Sequence, residues 1–161
     1  MCNTDNIKEL IQLLSDRNIK ISTAESLTGG MIGDSIVSVA GASAVFEGGA
    51  ITYSETAKIN LLGVKKDTVD KYTVVSAKCA EEMALGSAVK FGTDIAVSAT
   101  GIAGPDGGSD VFPVGLVYIG LYFKNKTNSF KYIFKGDRQA VREASVDAAI
   151  SVAVNILKES K

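Results

Sequence analysis

With 161 residues, 46% of them apolar and 22% charged, the chain suits one ordinary domain with a buried core. A formal net charge of −1, with no basic block, argues against a surface built to hold a nucleic-acid backbone. There is no histidine, which excludes Ser-His-Asp and Cys-His catalysis and removes the commonest zinc ligand. Acid–base work would therefore fall to Lys, Asp, Glu, Tyr or the backbone. The two cysteines, Cys2 and Cys79, make no disulfide framework and suit a reducing compartment, so a cytoplasmic location is expected. Cys79 reads as a small buried hydrophobe. The longest apolar runs, such as 115–123, are too short to span a bilayer, and the first residues lack a secretory layout. No membrane partner, metal or organic cofactor is expected.

Taken in chain order, residues 5–17 carry Ile7, Leu10, Ile11 and Leu14 at helical spacing and predict an amphipathic opening helix. Residues 19–24 alternate as a short strand. Thr28-Gly29-Gly30 then precedes Met31, Ile32, Ile36 and Val39, a second helix. Residues 48–53 predict a strand that Gly48-Gly49 can bend, followed by a short helix over 55–62 that stops at Gly63. Ser76 is the expected N-cap of a helix reaching about Phe91. Residues 94–99 are a third strand and 101–108 a glycine-rich loop. Residues 114–123 and 129–135 flank a hairpin connection at 124–128, and Asp137 caps a last helix with Val141, Ala148, Val152 and Ile156 in its buried stripe. Helices alternating with strands predict an α/β fold, a three-layer α/β/α sandwich with a mixed sheet of about five strands. The whole chain, 1–161, is expected to be a single domain.

Ser26, Tyr53 and Thr100 each fall just past a predicted strand, where open α/β sheets bind their ligands. Two glycine-rich turns, one holding Gly29 and Gly30 and one holding Gly101 and Gly104, follow two of those ends and let the backbone approach a ligand. A serine hydroxyl needs a base, and without histidine the available type is an amine with a lowered pKa. Lys58, five residues after Tyr53, is the candidate, although most lysines are simply solvated. Tyr53 can orient the pair or be a core tyrosine with its hydroxyl at the rim. Amides of Thr28, Gly29 and Gly30 lie at a helix N-terminus suited to an oxyanion or a phosphate, and the residues alone do not choose between them. Arg138 and Arg142 share a helix face and suit a phosphate; taken alone they read equally as surface arginines paired with Asp137 or Glu143.

Several segments together carry a family resemblance. They are Thr23-Ala24-Glu25-Ser26-Leu27-Thr28-Gly29-Gly30, Gly49-Ala50-Ile51-Thr52-Tyr53-Ser54-Glu55-Thr56-Ala57-Lys58, Leu62-Gly63-Val64 and Val75-Ser76, followed by Ser98-Ala99-Thr100-Gly101-Ile102-Ala103-Gly104-Pro105-Asp106-Gly107-Gly108, Pro113-Val114-Gly115 and Gly136-Asp137-Arg138. In this order they resemble the CinA C-terminal domain, in its stand-alone PncC type. The resemblance implies a nicotinamide-nucleotide amidase, converting nicotinamide mononucleotide and water to nicotinate mononucleotide and ammonia. It implies a Ser-Lys pair assisted by a tyrosine, which fall on Ser26, Lys58 and Tyr53. Thr100 with the 101–108 loop would then position the nucleotide, and Arg138 or Arg142 its phosphate. A non-catalytic pyridine-nucleotide-binding module and an amidase of another small amide are the alternatives. A homo-oligomer is compatible with the sequence. Glu55 departs from the family pattern; a carboxylate beside Lys58 would favour its protonated form.

Overall fold

The computed structural model describes residues 3–160, so Cys2 lies outside the described residues. The elements run α1 (Thr4–Asp16), β1 (Ile21–Glu25), α2 (Met31–Val37), a 3-10 turn (Ala42–Ala44), β2 (Phe46–Ile51), α3 (Glu55–Leu62), α4 (Lys66–Tyr72), α5 (Ala77–Phe91), β3 (Ile95–Gly101), β4 (Leu116–Phe123), β5 (Lys126–Ile133) and α6 (Arg138–Glu159). The sheet order is β2-β1-β3-β4-β5. β1 pairs in parallel with β2 and β3, whereas β4 and β5 are antiparallel, as a mixed sheet requires. No helix among the described residues is long and apolar enough to cross a membrane.

Alternation along the strands divides the core in two. Ile21, Ile95, Val97, Ala99, Val117, Ile119 and Leu121 pack with residues of α1, α2 and α6. The stripe Ile7, Leu10, Ile11 and Leu14 closes that layer. In α6 the buried surface is broader than the expected stripe, and Ala148 and Ile156 are only half-buried. On the opposite face the sheet presents Ser22, Ala24, Ala96, Ser98 and Gly120, all small, to the Ala80–Ala84–Ser87–Ala88 side of α5. The hydroxyls there are paired: Ser98 Oγ donates to the Ala80 carbonyl at 2.6 Å, and Ser87 Oγ lies 2.8 Å from Ser22 Oγ.

Some expectations are revised. The hairpin connection is two residues, Lys124-Asn125, both left-handed (φ 50° and 59°), so 126–128 belong to β5. β5 is an edge strand whose side chains are largely exposed, and its polar residues imitate a longer turn. Thr100 is inside β3 rather than past its end. α4 has only Thr68 and Val69 buried, too short a signal to stand out in the sequence.

β1 continues through α2 to β2 on one side, and β2 returns through α3, α4 and α5 to β3 on the other. The carboxyl end of β1 is therefore a topological switch point, with the ends of β2 and β3 beside it. α3 is fixed against α5 by close approach, since a Cβ at Gly86 would run into the Leu62 carbonyl oxygen. Gly86→Ala should accordingly lower stability by about 1–3 kcal/mol, read as a lower urea midpoint at unchanged slope.

Candidate active site

Parallel register sets Glu25 opposite Ile51 on one side and Ala99 on the other. The next residues, Ser26, Thr52 and Thr100, therefore emerge side by side. The Ser26 N–H donates to the Ala99 carbonyl at 3.0 Å and the Thr52 N–H to the Glu25 carbonyl at 2.8 Å, which fixes both. Ser54 then caps α3, its hydroxyl accepting the Ala57 N–H, and Gly63 ends the helix in the left-handed conformation. Lys58 falls in the first full turn of α3 and turns inward.

The Lys58 side chain is 1% exposed, a rare location for an amine. Its Nζ lies 2.8 Å from Ser26 Oγ, 2.7 Å from the Thr52 carbonyl and 3.4 Å from the Tyr53 carbonyl. Burial pushes its pKa below the ordinary lysine value; the opposing influence comes from Cys79. Burial in turn raises the Cys79 thiol to about 11, so it is neutral at pH 7. Glu55, expected to oppose this, is on the surface 3.9 Å from Lys66, and it is not among the influences on Lys58. A neutral amine here donates its two N–H groups to the carbonyls and keeps its lone pair for the serine proton.

A cavity of about 230 Å³ opens on this pair, walled by Leu27, Val74, Val75, Thr100, Gly101 and Ala103, with Tyr53 and Arg138 also on its lining. Val74, Val75 and Leu27 carry no polar side chain, and the sequence assigned them no role at the site. Thr100 Oγ donates to the Val74 carbonyl at 2.8 Å, so its hydroxyl holds a wall of the cavity. Tyr53 is 64% exposed, and its hydroxyl accepts from Arg138 Nη2 at 3.2 Å. It touches the pair through its carbonyl, not through the ring expected to orient it. Arg138 Nη1 donates to the Gly104 carbonyl at 2.8 Å.

The 28–30 turn differs from expectation. Glu25, 2% exposed, accepts the N–H groups of Gly30 and Ile32 at 3.0 Å and of Gly33 at 2.9 Å. The start of α2 is thus capped from within the protein, and the Gly30 amide is not available to a ligand. The Gly29 N–H donates to the Ser26 carbonyl at 3.1 Å. Of the three expected amides only that of Thr28 has no partner among the described residues; the Leu27 N–H, not anticipated, shares this state. Arg142 lies away from the cavity lining, with Nε on the Leu27 carbonyl at 2.9 Å, Nη2 on that of Thr28 at 3.3 Å and Nη1 on Gln139 at 3.2 Å. A carboxylate closing a buried strand ahead of a glycine-rich helix start was the available signal for Glu25.

The family model of the CinA C-terminal domain matches residues 3–157. The chain belongs to the CinA C-terminal domain family. A Clostridium botulinum (strain Loch Maree / Type A3) protein named for competence-damage induction is 47% identical over 146 residues, covering 90% of this chain and 36% of that relative. A Caldicellulosiruptor saccharolyticus protein of the same name is 46% identical over 143 residues, 89% of this chain and 35% of its own. The chain thus spans little more than a third of these curated relatives. Among solved structures, competence damage-inducible protein A of Klebsiella pneumoniae superposes with a TM-score of 0.95 at 31% identity, covering both chains fully. A competence/damage inducible protein of Agrobacterium tumefaciens gives 0.90 at 35% identity over 94% of each chain.

The buried amine of this CinA domain has a consequence for stability. Lys58 binds its proton less readily folded than unfolded, so between its lowered pKa and the ordinary 10.5 the unfolded chain holds more protons. Stability contributed at this position therefore rises with pH across that window and is lowest below it. Compared with Lys58→Met, the wild type should gain stability as pH is raised from 7 towards 10.5, measured by urea unfolding at each pH.

Proposed function

We propose that this CinA-family chain is a nicotinamide-nucleotide amidase acting on nicotinamide mononucleotide through a Ser26-Lys58 acyl-enzyme. The observation that carries the reading is the desolvated Lys58 amine 2.8 Å from Ser26 Oγ, with two carbonyls to take its N–H groups. Neutral Lys58 takes the serine proton as Oγ bonds to the carboxamide carbon, and the carbonyl oxygen becomes an oxyanion. The Leu27 and Thr28 N–H groups, next in the chain after the nucleophile, are the donors for that charge. Collapse breaks the C–N bond, and the Lys58 ammonium returns its proton to the leaving nitrogen, which departs as ammonia. Water then attacks the ester, giving its proton to Lys58, and the Ser26 oxygen leaves with that proton. The products are the carboxylate and a regenerated serine.

A cavity of about 230 Å³ is smaller than the ~300–1,000 Å³ that encloses a whole drug-sized ligand. It suits the pyridine carboxamide end, with the ribose and phosphate at the rim. There Arg138 uses two of its donors on Gly104 and Tyr53 and has others to offer the phosphate. Arg142, with its fork on the backbone, is not assigned to the phosphate.

Ammonia release measured with nicotinamide mononucleotide and with free nicotinamide tests the reading, the nucleotide being favoured if the rim contributes. Ser26→Ala and Lys58→Met should each lose about 10⁴-fold or more in turnover while keeping the far-ultraviolet spectrum. The wild-type rate should rise with pH along a limb whose midpoint lies below 10.5, because only the neutral amine is a base. Near-normal turnover in Ser26→Ala would dismiss the nucleophile.

A further inference from the structure

Peptide geometry connects Arg142 to the two unpaired amides by two routes. In a planar trans peptide the C=O and the next residue's N–H point in opposite directions. Arg142 Nε holds the Leu27 carbonyl at 2.9 Å, and the other end of that peptide is the Thr28 N–H. Arg142 Nη2 holds the Thr28 carbonyl at 3.3 Å, and the other end of that peptide is the Gly29 N–H, which donates to the Ser26 carbonyl at 3.1 Å. The far end of the Ser26 peptide is the Leu27 N–H. Both routes begin at one guanidinium and end on an N–H without a partner among the described residues.

Leu27 is 4% exposed and Thr28 is fully buried, where unpaired N–H groups are uncommon and call for a reason. A cation on the carbonyl end polarises each peptide and strengthens the donor at its opposite end, since hydrogen bonds in a chain reinforce one another in a low dielectric. The planar fork also sets direction, because Nε and Nη2 span two successive carbonyls as a point-charge ammonium does not. A Cβ at Gly29 would stand 3.5 Å from Arg142 Nη2, in ordinary contact, so the guanidinium packs directly on the turn.

We propose that Arg142 is a positioning residue for acyl transfer, fixing and polarising the Leu27 and Thr28 peptide groups so that their N–H groups receive the oxyanion. This rests on the Ser26-Lys58 reading. The test uses the full chain with p-nitrophenyl acetate, which reports acylation whatever the natural substrate: Ser26 Oγ bonds to the acetyl carbon, p-nitrophenolate leaves, and Lys58 takes the serine proton. Arg142→Ala should be acylated about 10²-fold more slowly, with a matching fall in kcat for nicotinamide mononucleotide. KM should stay within about twofold and the pH midpoint unchanged, because Arg142 touches neither substrate nor Lys58. Arg142→Lys, which keeps the charge without the fork, should be intermediate, and it carries the comparison should Arg142→Ala not fold. Acylation at the wild-type rate in the variants would overturn the proposal, as would a raised KM with kcat retained, which would make Arg142 a substrate ligand. Wild type that is acylated but releases no ammonia would overturn the amidase reading alone, the variants' acylation rates still judging Arg142. Wild type inert in both assays would overturn both.

Discussion

An amine enclosed among three oxygens sets the terms for the rest of this site. Water would solvate a charged Lys58 freely; at 1% exposure its hydrogen-bond partners among the described residues are Ser26, Thr52 and Tyr53. Two of these partners are carbonyls, which only accept, and the third is a hydroxyl, which can donate. The neutral amine satisfies all three at once, and its lone pair is then directed by the carbonyls rather than by chance. Losing the proton costs less here than in water because the charge is what burial penalises. The Thr52 carbonyl is held in place by the parallel register that also seats Ser26. Sheet geometry thus sets the geometry of the amine and the hydroxyl.

The turn after Ser26 is gripped by charges of both signs. Glu25 takes the N–H groups at the start of α2, and Arg142 takes the carbonyls of Leu27 and Thr28. A helix N-terminus is ordinarily a ready anion site, yet here a carboxylate of the same chain occupies it. At the mouth of the cavity Arg138 and the Tyr53 hydroxyl meet 3.2 Å apart, which is where the proposed amidase would hold its phosphate.

Much of this was legible in the sequence, and the omissions have physical causes. α3 was legible from the Gly63 that ends it, a local signal that tertiary packing did not override. The missing histidine narrowed the base to an amine, and the ordered family segments brought Ser26 and Lys58 together. Glu25 and Arg142 were harder to place because their partners are backbone atoms, whose directions leave no mark in residue type. For the same reason the ring of Tyr53 drew attention in the sequence, while in the structure its carbonyl is what Lys58 meets. α4 escaped because two buried residues make no period, and the first residues of β5 read as part of the turn because an exposed edge strand looks polar.

The small residues beneath α5 complete the chain of causes. A layer of large aliphatic side chains would let a helix settle in several registers of similar energy. Ser22, Ser87, Ser98 and Thr93 instead tie α5 and the segment after it to the sheet through buried hydroxyl bonds, which have a cost if left unmade. α5 therefore sits in one register, and with it go Cys79, whose neutral thiol lies within electrostatic reach of Lys58, and the Gly86 contact that seats α3. The lysine is held by a helix, that helix by a second, and the second by hydroxyls on the strands whose ends carry the serine. These contacts form one continuous packed path from the strands to the 2.8 Å Nζ–Oγ pair, in an interior as dense as protein cores generally are.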